Sequence, residues 1–191
     1  MRDTTSHLPP PELTTEQRED LARRSRRLLD QARYLNLATV SAQGSPWVAT
    51  LEYAWLGDPL RLVFGSATTS RHGRDLAASD QVSGSLFIAG GGAGLDVAAI
   101  DGAQFTGLCT ALSAAELPRY HSVFYETVFP DEQQRADWAL PPSALRSPAP
   151  HRLYLIEVHR WWLVDTSTWE QDRIDRRVEL PLSALAGQRS A

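Results

Sequence analysis

The sequence predicts a mainly β protein, an antiparallel barrel of six to seven strands with helices flanking it. Three observations carry that reading. Runs rich in β-branched and aromatic residues are joined by short Gly/Pro turns, as in residues 34–40 and 47–55 around Gly44-Ser45-Pro46, which is the pattern of a hairpin. Two helix-start signatures, Thr14 with Gln17 and Ser113 with Glu116, place helices outside those runs. At 191 residues the chain is long enough for one domain with a real core and too short for two comfortable ones.

Taken in order, residues 1–13 are Pro-rich and aperiodic, a flexible arm. After Thr14, Leu21, Leu28, Leu29 and Ala32 recur on one helical face through Arg33, so an amphipathic helix packs against the sheet with Arg23, Arg24, Arg26 and Arg27 on its wet side. Strands over 34–40, 47–55 and 60–65 follow as a three-stranded meander, the last two joined by Leu56-Gly57-Asp58-Pro59. A short helix over 70–79 then leads to a strand over 81–88. Four glycines in residues 89–94 make a hairpin loop, and 95–100 looks extended. In the strand over 103–112, Gly107 marks a bulge or a close backbone approach, and Cys109 packs in the core. The helix opened by Ser113 carries Leu117, Tyr120, His121, Phe124 and Tyr125 at helical spacing. Residues 131–150 hold a short helix and a surface excursion. Residues 151–159 and 160–165 read as two strands and 176–180 as a terminal one. The folded domain is thus 14–180, and 181–191 is a loose tail.

Composition narrows the function. The net charge is −4, and the arginines near residue 25 form the only basic block, so nucleic acid is not the expected partner. A polar N-terminus and the absence of any apolar run near the ~20 residues of a membrane span predict a soluble, cytoplasmic protein. Cys109 is the only cysteine and no Cys/His cluster has zinc spacing, so neither a disulfide nor a metal is expected. All 19 formal cations are arginines. Without a lysine, no Schiff-base cofactor can form on this chain, and an anion must be held by Arg, His, hydroxyls or backbone.

Residues 61–76 offer such a site. An apolar strand runs into Ser66-Ala67-Thr68-Thr69-Ser70 and then into the helix that begins at Arg71-His72-Gly73-Arg74. Hydroxyls, first-turn N–H groups at the positive end of a helix and an arginine fork together suit a phosphate monoester. The same residues also read as an ordinary strand, an N-cap at Ser70 and two solvated arginines. No P-loop or dinucleotide fingerprint is present.

Four segments in this order resemble the pyridoxamine 5′-phosphate oxidase-like, FMN-binding split-barrel superfamily, especially its small bacterial branch. They are Leu37-Ala38-Thr39-Val40 with Gly44-Ser45-Pro46, Thr50-Leu51-Glu52-Tyr53, Phe64 through Leu76, and Gly102 through Gly107. The resemblance implies a split β-barrel in which Ser66, Ser70 and Arg71 meet the FMN phosphate and the backbone of Thr50, Leu51 and Glu52 follows the isoalloxazine edge. It implies a homodimer with the cofactor at the subunit interface, Gln104 reaching the ring from the neighbouring subunit, and exposed aromatics such as Trp161 and Trp162 suit that dimer. Where the oxidases proper have a lysine after the Ser-Arg pair, this chain has His72, whose charge near neutral pH is conditional. The Arg-rich C-terminal signature that holds pyridoxamine phosphate is missing, so that activity is not expected.

The leading expectation is therefore an FMN-dependent oxidoreductase acting on a small molecule, its catalytic residues unassigned. Tyr53, Tyr125, His121 and His159 are candidate proton donors. The alternatives are a non-redox protein that holds haem or a deazaflavin on the same barrel, with His151 or His159 as axial ligand, and a dimeric scaffold with a vestigial pocket.

Overall fold

The computed structural model describes residues 13–88, 101–165, 169–174 and 176–186. The arm 1–12, the glycine-rich run 89–94 and the segment 95–100 lie outside the described residues. The element order is α1 (Thr15–Gln31), β1 (Tyr34–Val40), β2 (Pro46–Glu52), β3 (Ala54–Leu56), β4 (Arg61–Ala67), α2 (Arg71–Ala78), β5 (Gln81–Ile88) and β6 (Asp101–Ala111). Then come α3 (Leu117–Val128), α4 (Glu132–Trp138), β7 (His151–Asp165), the short α5 (Trp169–Asp172) and β8 (Arg176–Glu179).

All pairings are antiparallel, and the strands lie in the order β2-β1-β5-β6-β7-β4-β3, with β8 added to β7. The two ends of that order, β2 and β3, are separated in the chain by Tyr53 alone. A sheet whose edges are one residue apart must curl until they meet, and it stays unladdered between β2 and β4. This is a split barrel, as the resemblance implied.

Two strands differ from the sequence reading. The run 47–55 is not one strand, because Tyr53, Ala54, Trp55 and Leu56 are all buried and break the period of two. Tyr53 turns inward, its hydroxyl donating to the Leu29 carbonyl at 3.1 Å, and the chain leaves β1 there to pair with β4. Conversely, 151–159 and 160–165 form one strand of 15 residues. Thr106 pairs with Arg160 and Gly107 with Val158, so His159 is the extra residue of a β-bulge. The bulge exposes both His159 and Arg160, which made one strand look like two. Gly107 is needed opposite it: a Cβ there would lie 2.2 Å from the Glu157 carbonyl oxygen.

The main core joins Leu21, Leu28 and Leu29 of α1 to Leu35, Leu37, Phe64, Phe105, Ile156 and Trp161 inside the barrel. A second cluster packs α3, through Leu117, Tyr120, Phe124 and Tyr125, on Val63, Leu153 and Leu155. Trp161, expected at the surface, is fully buried. It stacks on Phe105 and its indole N–H donates to Ser25 Oγ at 2.9 Å, while Ser25 donates to the Leu21 carbonyl. Trp162 alone of the pair keeps partial exposure. Cys109 is in the core, where burial pushes its thiol pKa up to about 12, so it is inert as a nucleophile.

The arginines of α1 are not simply a wet face. Arg24 donates Nε and Nη2 to the two carboxylate oxygens of Asp101 at 3.0 and 2.9 Å, and Arg27 adds a third bond at 3.1 Å. Asp101 is 1% exposed, so this network rivets α1 to the start of β6. Residues 182–185 form a 3-10 turn rather than hanging free: Leu180 and Leu185 enter the core, and Arg26 donates to the Ala184 carbonyl. Among the described residues no helix is long and apolar enough to cross a membrane.

Candidate functional site

The site is built where β4 hands over to α2. Thr68 fixes the turn by donating its N–H and hydroxyl to the Pro150 carbonyl at 2.7 and 3.1 Å, and Ser70 N–H returns to the Ala67 carbonyl. Ser70 then caps α2, its Oγ accepting from Gly73 N–H at 3.0 Å. Glycine is required at 73 because a Cβ would meet the Ala67 carbonyl oxygen at 2.6 Å. Ser66 Oγ stands 3.3 Å from Ser70 Oγ, so the two hydroxyls share one spot at the positive end of the helix. Arg71 is exposed. Its guanidinium lies 4.5 Å over the Trp47 ring and reaches the Pro46 carbonyl at 3.4 Å, and among the described residues no carboxylate forms an ion pair with it. Stacking on Trp47 holds the fork in place while leaving its remaining N–H groups for an anion.

His72 does not stand beside these groups as a solvent-facing cation. It is 8% exposed, edge-on to Phe64, with Nε2 2.6 Å from Ser66 Oγ. Burial pushes its pKa below the ordinary 6.5, with the nearby Asp75 carboxylate acting in the opposite sense. Because Ser66 donates to Ser70, the neutral ring that carries hydrogen on Nε2 is the partner that completes the chain of bonds. Asp75 is itself buried and accepts from Thr39 Oγ1 at 2.9 Å. His72 therefore supports Ser66 from behind.

Thr50, Leu51 and Glu52 lie on β2, an end strand of the sheet. Half of its backbone N–H and C=O groups point away from β1 and are free of any ladder. The side chains are otherwise engaged. Thr50 Oγ1 donates to Asn36 Oδ1 at 2.9 Å, Leu51 packs half-buried on the core, and Glu52 accepts from Arg33 at 2.8 Å. Glu52 and Ser66 meet across a cleft of about 200 Å³, walled by Tyr125, Phe129, Trp138 and Arg152. Arg152 escaped the sequence reading. The β4–β7 register puts it directly opposite Ser66, and His151 opposite Ala67, more than 80 residues away in sequence; only the strand pairing brings that cation to the site.

Gln104 is not part of this group. It faces outward on β6, opposite Ser85 and Trp162, and its Oε1 accepts from Arg177 Nε at 2.9 Å. Of the candidate proton donors, Tyr125 lines the cleft. Tyr53 has its hydroxyl bonded inside the core, where burial raises its pKa far above the ordinary phenol value. His121 contacts the Leu140 carbonyl at 2.8 Å, and His159 sits on the outer bulge.

The family model for pyridoxamine 5′-phosphate oxidase matches residues 21–165, the span that contains all of these groups. No curated protein matches the sequence. Among solved structures, the heme binding protein from Mycobacterium smegmatis superposes with a TM-score of 0.64 at 17% identity, covering 93% of this chain. The present chain spans only 61% of that protein's length. A FAD-binding protein from Mesorhizobium loti gives 0.51 at 22% identity, covering 72% of this chain and 89% of its own. The heme storage protein from Vibrio cholerae gives 0.50 at 19%, covering 71% and 87%. At these identities the structural likeness is one of fold. The chain belongs to the pyridoxamine 5′-phosphate oxidase family by its sequence match and carries that family's split barrel.

Proposed function

We propose that this family member binds FMN by its phosphate at the start of α2 and acts as a flavin-dependent oxidoreductase on a small molecule. The observation that carries the reading is Arg71: a guanidinium held on Trp47, unpaired with any described carboxylate, beside two hydroxyls at a helix N-terminus. That donor set fits a phosphate monoester in charge and in number of donors. Ser66, Ser70 and Arg71 would hold the phosphate, with His72 aiming the Ser66 hydroxyl. The unladdered edge of β2 at Thr50, Leu51 and Glu52 would meet the polar edge of the ring. Gln104 lies too far round the sheet to join from the same chain, so the reading includes a homodimer in which a second copy supplies it. Tyr34, Val40, Trp47 and Val48, each at least 40% exposed on β1 and β2, offer apolar surface for that contact. When bound, the flavin supplies hydride transfer; the chain binds it, orients it and shields it.

A second reading, haem, has its own observation. His151 lines the same cleft as Phe124, Tyr125, Phe129 and Trp138, an aromatic surround with one imidazole. One experiment separates the two. The purified chain is mixed with FMN, a deazaflavin or haemin, desalted, and its visible spectrum recorded. Retention of FMN alone supports the flavin reading, and a Soret band that disappears in His151→Ala replaces it with haem. A colourless protein in all three cases removes both.

A further inference from the structure

His72 stands apart from the rest of the anion site. Ser66, Ser70 and Arg71 present their donors at the start of α2, whereas the His72 ring turns inward, 8% exposed, and meets the site only through the Ser66 hydroxyl at 2.6 Å. The hydrogen bonds run in one direction. Nε2–H donates to Ser66 Oγ, Ser66 O–H donates to Ser70 Oγ, and Ser70 Oγ accepts from Gly73 N–H. An anion at these hydroxyls takes the Ser66 proton in place of Ser70 and leaves Nε2–H where it is. The other ring nitrogen, Nδ1, has no hydrogen-bond partner among the described residues.

The groups around the ring come from four elements besides α2 itself. On α2, Asp75 gives its carboxylate to Thr39 Oγ1 of β1 and makes no ion pair with the ring. Arg71 lies out on Trp47 of β2, and Arg74 donates to the Thr69 carbonyl. From β4 come Phe64, edge-on, and Ser66. From β7, Tyr154 stacks on Phe64, and Arg152 stands opposite Ser66 with Nη1 on the Ala149 and His151 carbonyls. His151, opposite Ala67, faces the other side of the ladder. The arginines keep their charge at every working pH; an imidazole does not. Burial favours the neutral ring, with Asp75 acting the other way. A phosphate ester brings about 1.5 to 2 negative charges near neutral pH and tips that balance.

We propose that His72 is the positioning residue of this site and its proton acceptor: a phosphate that binds at Ser66 draws a proton from solvent onto His72 Nδ1, so that binding and protonation are coupled. This coupling rests on the phosphate site of the flavin reading but not on the flavin, since free phosphate at the same hydroxyls draws the same proton. Nε2–H stays on Ser66 throughout, and the only bond formed is Nδ1–H. Because the phosphate-bound protein holds more protons, affinity rises as pH falls through the histidine range.

FMN, riboflavin and inorganic phosphate are each titrated calorimetrically into the full chain at about pH 6.5, near the ordinary histidine pKa, in two phosphate-free buffers of different ionisation enthalpy. Ring-nitrogen NMR spectra are recorded in parallel. Wild type is expected to take up at least about half a proton more per bound FMN than His72→Gln does. The Gln amide still offers a donor to Ser66, and subtracting the variant removes the ester's own titration. Relative to that variant, wild-type FMN affinity rises at least about fivefold from about pH 8 to about pH 6, and riboflavin shows neither effect. In wild type the Nδ1 signal of His72 moves to its protonated position on adding FMN or phosphate, a readout that stands even where the variant does not fold. Equal proton uptake in both proteins, uptake with riboflavin, or an Nδ1 signal that stays in place when FMN binds overturns the coupling and leaves the flavin site standing. Proton uptake with phosphate but no binding of FMN upholds the coupling and overturns the flavin reading. A protein that binds neither FMN nor phosphate overturns both.

Discussion

Two helices of this protein carry arginines that look interchangeable in sequence, and their partners make them opposites. Arg24 and Arg27 of α1 close on Asp101, a carboxylate with 1% exposure, and Arg24 adds the Val164 carbonyl. Arg71 of α2 has a ring beneath it and, among the described residues, no carboxylate in ion-pairing range. The first arrangement uses charge to fasten a helix to a sheet. The second holds a charge ready, with a single long bond to the Pro46 carbonyl on its donors. An arginine's function in this fold is thus read from whether its counter-charge is already present.

The comparison breaks most visibly at Asp101. Asp101→Ala leaves Arg24 half-buried without its carboxylate, and the expected loss is about 3–4 kcal/mol of unfolding free energy, read from urea denaturation, with flavin retention by the remaining folded protein unchanged. Arg71→Ala should do the converse. FMN affinity falls by about 2–3 kcal/mol, on the order of 30- to 150-fold, while the unfolding free energy from urea denaturation moves by less than about 0.5 kcal/mol. A stability loss in Arg71→Ala would place it in the structural class.

Ser70→Ala lies between the two because Ser70 Oγ caps α2 and also stands in the proposed phosphate site. About 1 kcal/mol of stability should go with the cap, together with weaker FMN binding. A smaller effect follows from His72. Its folded pKa is depressed by burial, so the unfolded chain takes up the proton first; the stability it contributes is complete above about pH 6.5 and is lost as pH falls through the lowered folded value. Thermal melts across that range should fall more steeply for the wild type than for His72→Gln. The smallest effect belongs to Arg23, whose side chain is 73% exposed and pairs along the helix with Asp20. Arg23→Ala should change stability by no more than about 0.5 kcal/mol.

What could be read from the chain alone followed from local chemistry. The Thr14 box and the Ser70 cap are each set by neighbours a few residues away, and each is where the pattern put it; the irregularity at Gly107 is also where the glycine pointed, though its partner lies on β7. The split-barrel topology came through resemblance, since no local rule says that β2 and β3 end on opposite edges. The failures all involve distant partners. Arg24 meets Asp101 across 77 residues, Trp161 finds Ser25 across 136, and the β7 bulge exists only against β6. The candidate site divides along the same line. Ser66, Ser70, Arg71 and His72 fall within seven residues and could be grouped from sequence, whereas Arg152 arrives through the ladder and His72's inward turn depends on the space behind Ser66.

The most direct test of the central claim is the affinity of the protein for FMN set against riboflavin, the same ring without the phosphate, measured by fluorescence titration of wild type and Arg71→Ala. A phosphate anchor at α2 predicts that wild type prefers FMN by at least about 30-fold, and that Arg71→Ala brings the two ligands to within a few-fold by weakening FMN alone. Equal affinities in the wild type, or a preference that survives the loss of Arg71, would contradict it.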